Sequence, residues 1–189
     1  MRALVVSFLR KLEKENQSAS LNVMNHLLGL FVEEVNSSRL SMPLLSTMDF
    51  VIESGLTDAA QEQNKEYMHV ISKTTWLCIK KTSDPVKKIS GAGVLCSILR
   101  FETCCKQSLA FLVCLLCSPL PRVRMAVAEK LHVSVLTFSE NCIPTSQEES
   151  LDTCLGLLSD TNWTRPVPDL RPIRDQIASI FGVRSPTSS

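Results

Sequence analysis

Apolar residues recur along this chain every three to four positions rather than every second one, so the pattern predicts a succession of amphipathic helices and no sheet. The periodic windows fall at about 2–15, 20–36, 40–54, 60–81, 86–100, 105–117, 121–139, 147–159 and 170–181. Breakers separate them: Ser37-Ser38, Ser54-Gly55, Ser83-Asp84-Pro85, Ser118-Pro119 with Pro121, the run from Asn141 to Ser146, and Pro166 with Pro168. Connections this short require consecutive helices to lie antiparallel. The clearest element follows Pro121, where Leu120, Val123, Val127, Leu131, Val135 and Phe138 step by three and four, so one stripe faces a core. Arg124 lies within about 60° of the middle of that stripe, near enough to reach a buried partner, whereas Arg122 and Glu129 lie on the far side.

The pattern also repeats. Val86-Lys87, Ile89, Val94 and Leu95 can be laid over Val123-Arg124, Ala126, Leu131 and His132 at an offset of 37 residues. A helix, a short turn with Asp or Pro, and a second helix opening on Val and a basic residue resemble a HEAT repeat, whose period is close to this one. The expected fold is therefore all-α, a HEAT/armadillo-type helical-hairpin solenoid segment over residues 1–183. Its units lie near 60–100, 105–139 and 147–181, and a polar disordered tail is expected at 184–189. No single hairpin has enough core to stand alone, so the units must stack.

Composition supports this and removes several functions. Hydrophobic residues make up 44% of the 189-residue chain and aromatics only 5%, so burial must come from aliphatic side chains and cysteine, as between packed helices. Twenty Lys and Arg against nineteen Asp and Glu leave a net charge of +1, which gives no field to attract a phosphate backbone or an anionic membrane. The N-terminal run from Arg2 to Leu9 passes into Arg10-Lys11-Leu12-Glu13 without a small-residue cleavage site and reads as an amphipathic helix. The most apolar stretch, Ser108 to Leu116, is stopped by Ser118-Pro119, short of the roughly 20 residues that span a bilayer. Cys78, Cys96, Cys104, Cys105, Cys114, Cys117, Cys142 and Cys154 sit at apolar helical positions and read as reduced core thiols of an intracellular protein.

Candidate chemistry is sparse. Cys114-x-x-Cys117 with His132 beyond it is half of a zinc pattern, but no second pair follows at a suitable spacing, so packed thiols are the better reading. His26, His69 and His132 stand on three separate helices with no nucleophile paired to them. Gly91-Ala92-Gly93 lacks the preceding strand and third glycine of a nucleotide turn, which leaves close approach of two helices. Arg122 and Arg124 are the charges that a GTPase-activating role would use. For Arg124 an inter-repeat bond to a carboxylate, Asp84 or Asp160, is expected instead. Trp163 reads as an anchor for the last helix. The sequence therefore assigns no catalytic, cofactor-binding or metal residue, and a protein-binding scaffold rather than an enzyme is expected.

Three strings then narrow the picture: Leu115-Leu116-Cys117-Ser118-Pro119-Leu120-Pro121-Arg122-Val123-Arg124, Leu136-Thr137-Phe138-Ser139, and Leu157-Leu158-Ser159-Asp160-Thr161-Asn162-Trp163. Together with Ile180-Phe181-Gly182-Val183 they resemble the C-terminal region of the tubulin-folding cofactor D family, a likeness that extends more weakly back to about Leu40. That resemblance implies a cytoplasmic, cytoskeleton-associated chaperone segment. It would bind β-tubulin after chaperonin release, help assemble the αβ heterodimer with other tubulin-folding cofactors, stimulate GTP hydrolysis by tubulin in that complex, and associate with a small Arf-like GTPase. The family's proteins are several times longer, so a C-terminal segment is expected. The family also reads as continuous helix after Trp163, where this chain has Pro166, Pro168 and Pro172, so the last helix is expected to start only near Leu170 to Pro172. The competing expectation is a generic HEAT adaptor with a different client.

Overall fold

The computed structural model describes residues 2–37, 39–143 and 148–184. Parts of two expected connections, Ser38 and 144–147, and the tail from 185 onward lie outside the described residues. The chain is 80% helical, with no strand among the described residues, which makes it the all-α hairpin stack that the periodicity predicts. Its helices are α1 (Arg2–Glu15), α2 (Gln17–Glu34), α3 (Ser41–Glu53), α4 (Asp58–Gln63), α5 (Tyr67–Ile79), α6 (Pro85–Ser97), α7 (Glu102–Leu115), α8 (Pro121–Thr137), α9 (Ser139–Cys142), α10 (Glu148–Asp160) and α11 (Val167–Phe181). A 3-10 turn, Ile98–Arg100, joins α6 to α7.

The caps show why the elements begin and end where they do. The Asn16 side-chain oxygen accepts a hydrogen bond from the Ala19 N–H at 3.0 Å, and Asp84 accepts from Val86 N–H at 2.8 Å, so each satisfies a donor that a helix start leaves free. Pro85 and Pro121 take the first position of α6 and α8, where a missing N–H costs nothing. At the other end of the chain, Gly182 adopts a left-handed conformation (φ +62°) and the Val183 N–H bonds back to the Ala178 carbonyl at 3.0 Å, closing α11.

Two departures from the sequence expectation matter most for the fold. The window at 60–81 is two helices, because Gln61 and Asn64 satisfy the backbone with their side chains. Asn64 accepts from Glu66 N–H, and Gln61 accepts from Met68 N–H at 2.9 Å while donating to the Lys65 carbonyl at 3.0 Å. Such local side-chain bonds offer the chain an alternative to the helical ladder. The last helix starts at Val167 rather than near 170–172. Pro168 lies in the first turn, where its lack of a donor is harmless, and only Pro172 interrupts the ladder, which α11 tolerates.

The helices form two layers. α2, α5, α7 and α11 stand side by side in one, and α3, α6, α8 and α10 in the other, with α1 packed on α2 and α3. The chain alternates between layers up to α8 and then stays, since α10 packs on α8 and α11 crosses back to α7. The final hairpin therefore stacks in the reverse order of the two before it. Neighbouring hairpins are also tied within the first layer, between α5 and α7: His69 Nδ1 meets Gln107 Oε1 at 3.0 Å, the Ser72 and Ser108 hydroxyls meet at 2.9 Å, and Trp76 stacks on Phe111 with ring centroids 4.9 Å apart.

One core runs through both layers, from Met24 and Phe31 in α2 through Leu45, Ile71 and Leu95 to Phe181 in α11, all essentially without exposed surface. Gly91 and Gly93 mark close approaches of α6 to its neighbours, Gly91 to α5 in the other layer and Gly93 to α3 in its own. A Cβ on Gly91 would stand 2.5 Å from Ile79 Cγ2 in α5, and one on Gly93 2.7 Å from Asp49 Oδ2 in α3. Ile79 is fully buried and has nowhere to go. Gly91→Ala is therefore expected to destabilise by about 1–2 kcal/mol, the overpacking cost exceeding the helix-propensity gain. Gly29→Ala, in open space on α2, is expected to stabilise by up to about 1 kcal/mol. Chemical denaturation of the two variants checks the opposite signs.

Candidate protein-binding face

Helix α8 has two apolar sides. The inward stripe is the one the spacing predicts: Val123, Val127, Leu131 and Val135 have no exposed surface, with Leu120 and Phe138 partly buried at its ends. The outward side carries Met125, Val133 and Leu136, which are 50%, 58% and 60% exposed. Three large apolar groups on one helix, all half or more in water, cannot be explained by the core of this chain.

A groove lies on each side of that ridge. The larger, about 680 Å³, runs between α3, α6 and α8 and is lined by Glu53, Ser97, Lys130, Val133 and Thr137 among others. The smaller, about 400 Å³, lies between α8 and the α10–α11 turn, with Met125, His132, Val133, Leu158 and Trp163 in its wall. Charge is mixed at the first groove. Burial and the neighbouring Asp49 push the Glu53 carboxyl above the usual carboxylate range, and Lys130 pulls it back. The surface thus presents an apolar ridge with charges of both signs beside it, the composition of a protein interface rather than of an anion or nucleic-acid site. The inward α8 stripe is legible from period alone; the outward residues were missed, because a single exposed Val or Met at a helical position carries no signal until its neighbours in space are known.

The predicted site residues are placed as follows. Arg124 is 2% exposed, and all three guanidinium nitrogens donate to backbone carbonyls. Nε donates to the Trp163 carbonyl at 2.8 Å, Nη1 to the Ser118 carbonyl at 2.7 Å and Nη2 to the Arg165 carbonyl at 2.8 Å. The expected partners Asp84 and Asp160 are thereby corrected to three backbone carbonyls, because two turns of the chain end there with oxygens pointing inward and one planar fork serves all three. Arg122 is exposed. Trp163 is 5% exposed and its indole N–H donates to the Leu158 carbonyl at 3.0 Å, so it holds the α10–α11 turn onto α10. A residue that sequence reasoning missed, Arg100, makes the equivalent tie at the other end: it donates to the Ile52 carbonyl and to Asp58, both at 2.9 Å.

The histidines are not brought together: His26 is on α2, His69 is bonded to Gln107 on α7, and His132 is on α8. Cys114 and Cys117 are half-buried, and burial pushes both thiols up, away from the thiolate a metal needs. Burial likewise pushes Cys96 and Cys154 up to about 12. Among the described residues no cluster of three or more His, Cys, Asp or Glu stands ready for a metal ion, and no helix is long and apolar enough to cross a membrane.

Residues 1–88, from α1 to the first turn of α6, match the family described as tubulin folding cofactor D C terminal. Over that segment the chain is similar to the tubulin folding cofactor D C-terminal family. The match supports the resemblance read from the sequence, although it covers fewer than half of the residues and the strings that suggested it lie beyond it, between Leu115 and Val183. No solved structure matches the chain. The α3 wall of the larger groove falls inside the matched residues, while the α8 ridge falls beyond them.

Proposed function

We propose that this chain is a tubulin-docking segment: it binds β-tubulin and supports assembly of the αβ heterodimer after chaperonin release, alongside the other tubulin-folding cofactors and a small Arf-like GTPase. The observation that carries this reading is the family match over residues 1–88. The α8 ridge supports it physically, since apolar anchors beside charged groups are how stable interfaces concentrate their energy. The segment is a scaffold and not an enzyme. Stimulation of GTP hydrolysis belongs to the assembled complex, with the nucleotide held by tubulin and no cofactor held by this chain. A cytoplasmic, cytoskeleton-associated location follows from that client. A HEAT-type adaptor for a different client is favoured by one observation only, that the α8 ridge lies outside the matched residues.

Binding of the purified chain to β-tubulin, followed by titration, tests the proposal. Replacing Met125, Val133 and Leu136 together by serine is expected to weaken binding roughly tenfold or more while leaving the melting temperature nearly unchanged, because all three are exposed. Binding that is absent in the unsubstituted chain would favour the adaptor. Reconstitution of heterodimers by a full-length relative, by that relative lacking this segment, and by this segment alone separates docking from assembly. A client must be held through about 800 Å² per partner and in register with a second subunit, so the segment alone is expected to bind without completing the heterodimer.

A further inference from the structure

Cys105 lies in the first turn of α7 and Cys142 is the last residue of α9, and neither has exposed surface. Their sulfurs are 3.8 Å apart, in direct contact across two elements that are 37 positions apart in sequence. The approach is held by a neighbour: the Asn141 amide donates to the Leu99 and Arg100 carbonyls, at 3.1 and 2.9 Å, pinning the single turn of α9 against the start of α7. A disulfide needs the sulfurs at about 2.05 Å, so closing this gap takes a shift of roughly 1.8 Å, within reach of a thiol rotamer change and a small movement of a four-residue turn. The other near pairs are worse placed. Cys104 and Cys105 are adjacent in one helix, and Cys114 and Cys117 lie along one chain segment, so neither pair would join separate elements.

We propose that Cys105 and Cys142 form an oxidation site, at which a peroxide withdraws two electrons and leaves a reversible disulfide bolting α9 to α7. Neither thiol is exposed, so the first step follows a local opening of the single-turn α9: the Cys105 thiolate attacks one oxygen of the peroxide, the O–O bond breaks, and a sulfenic acid forms as hydroxide leaves and takes up the thiol proton as water. In the second, the Cys142 sulfur attacks the sulfenic sulfur, the S–S bond forms, and the departing oxygen leaves as water with the Cys142 proton. Two thiols and one hydrogen peroxide thus give one disulfide and two waters. The order of attack follows from the pair itself: the Cys142 S–H stabilises a Cys105 thiolate and holds that thiol below its ordinary value, while the same contact and burial push Cys142 up. Closing so long a loop restricts the unfolded chain, so oxidation stabilises the α7 end of the stack. This inference does not depend on which client the chain binds.

The full reduced chain, treated with hydrogen peroxide at about one equivalent under native conditions and then alkylated in denaturant, gives the test by peptide mass spectrometry. Expected is one cross-link whose fragment ions place it on Cys105 and Cys142, reversed by dithiothreitol, with the other six cysteines alkylated and a higher melting temperature for the oxidised form. Cys105→Ser and Cys142→Ser should abolish the cross-link, and Cys104→Ser and Cys154→Ser should keep it. Alkylation of all eight cysteines after peroxide, or fragment ions placing the bond on Cys104 or Cys154, would overturn the proposal. Both readouts come from the unsubstituted chain and hold even where a variant fails to fold.

Discussion

Arg124→Ala is expected to lower the melting temperature by about 6–12 °C, and Arg122→Ala to leave it within about 2 °C. The difference comes from what each side chain leaves behind. Arg122 is exposed and its removal is absorbed by water. Arg124 is buried, and its three nitrogens satisfy the carbonyls of Ser118, Trp163 and Arg165. One charged hydrogen bond contributes about 1.5–3 kcal/mol, and stranding a buried acceptor costs a similar amount. Three such bonds from one group are not additive, and about 3 kcal/mol or somewhat more is the expected total. Arg124→Lys should recover only a minor part, since a single ammonium cannot reach three carbonyls set around a planar fork. Equal melting shifts for the alanine variants at 122 and 124 would remove the tie between the α7–α8 and α10–α11 turns.

Residue types and spacing made the helical layers legible, and they did so through particular positions. The stripe on α8 was readable because Val123, Val127, Leu131 and Val135 meet the helical period and all face inward. The burial of Arg124 was readable from its angle to that stripe, but its partners were not. Backbone carbonyls carry no residue signature, so the sequence pointed to Asp84 and Asp160, whereas the geometry supplied oxygens that any residue would have provided. The split at Asn64 was hidden because Gln61 and Asn64 fit a helix surface as well as they fit a turn, and only the bonds they make in three dimensions decide between the two. The reversed final hairpin was hidden for a related reason. Period fixes which side of α10 is apolar but not whether that side meets α7 or α8. The α8 ridge was likewise invisible until Met125, Val133 and Leu136 could be seen together on one surface.

The reversed hairpin depends on one side chain more than any other, and Trp163→Ala is expected to cost about 3–5 kcal/mol, the largest loss of any single substitution considered for this chain. Trp163 is almost fully buried beside Leu158, within the turn that carries the chain from α10 to α11, and its indole N–H closes on the Leu158 carbonyl. Truncation therefore removes a large apolar surface, leaves that carbonyl without its partner, and frees the turn whose other carbonyls Arg124 holds. Trp163→Phe keeps most of the area and loses the N–H bond, so about 1–2 kcal/mol is expected. Because the Trp163 carbonyl is itself an acceptor for Arg124, the two sites share one turn, and the Arg124→Ala/Trp163→Ala double variant should lose clearly less than the sum of the single losses. Urea denaturation of the four-member cycle measures this directly. Strict additivity would mean that the indole and the guanidinium hold different parts of the structure, and that the final hairpin is fixed by its contacts with α7 and α8 rather than by its own turn.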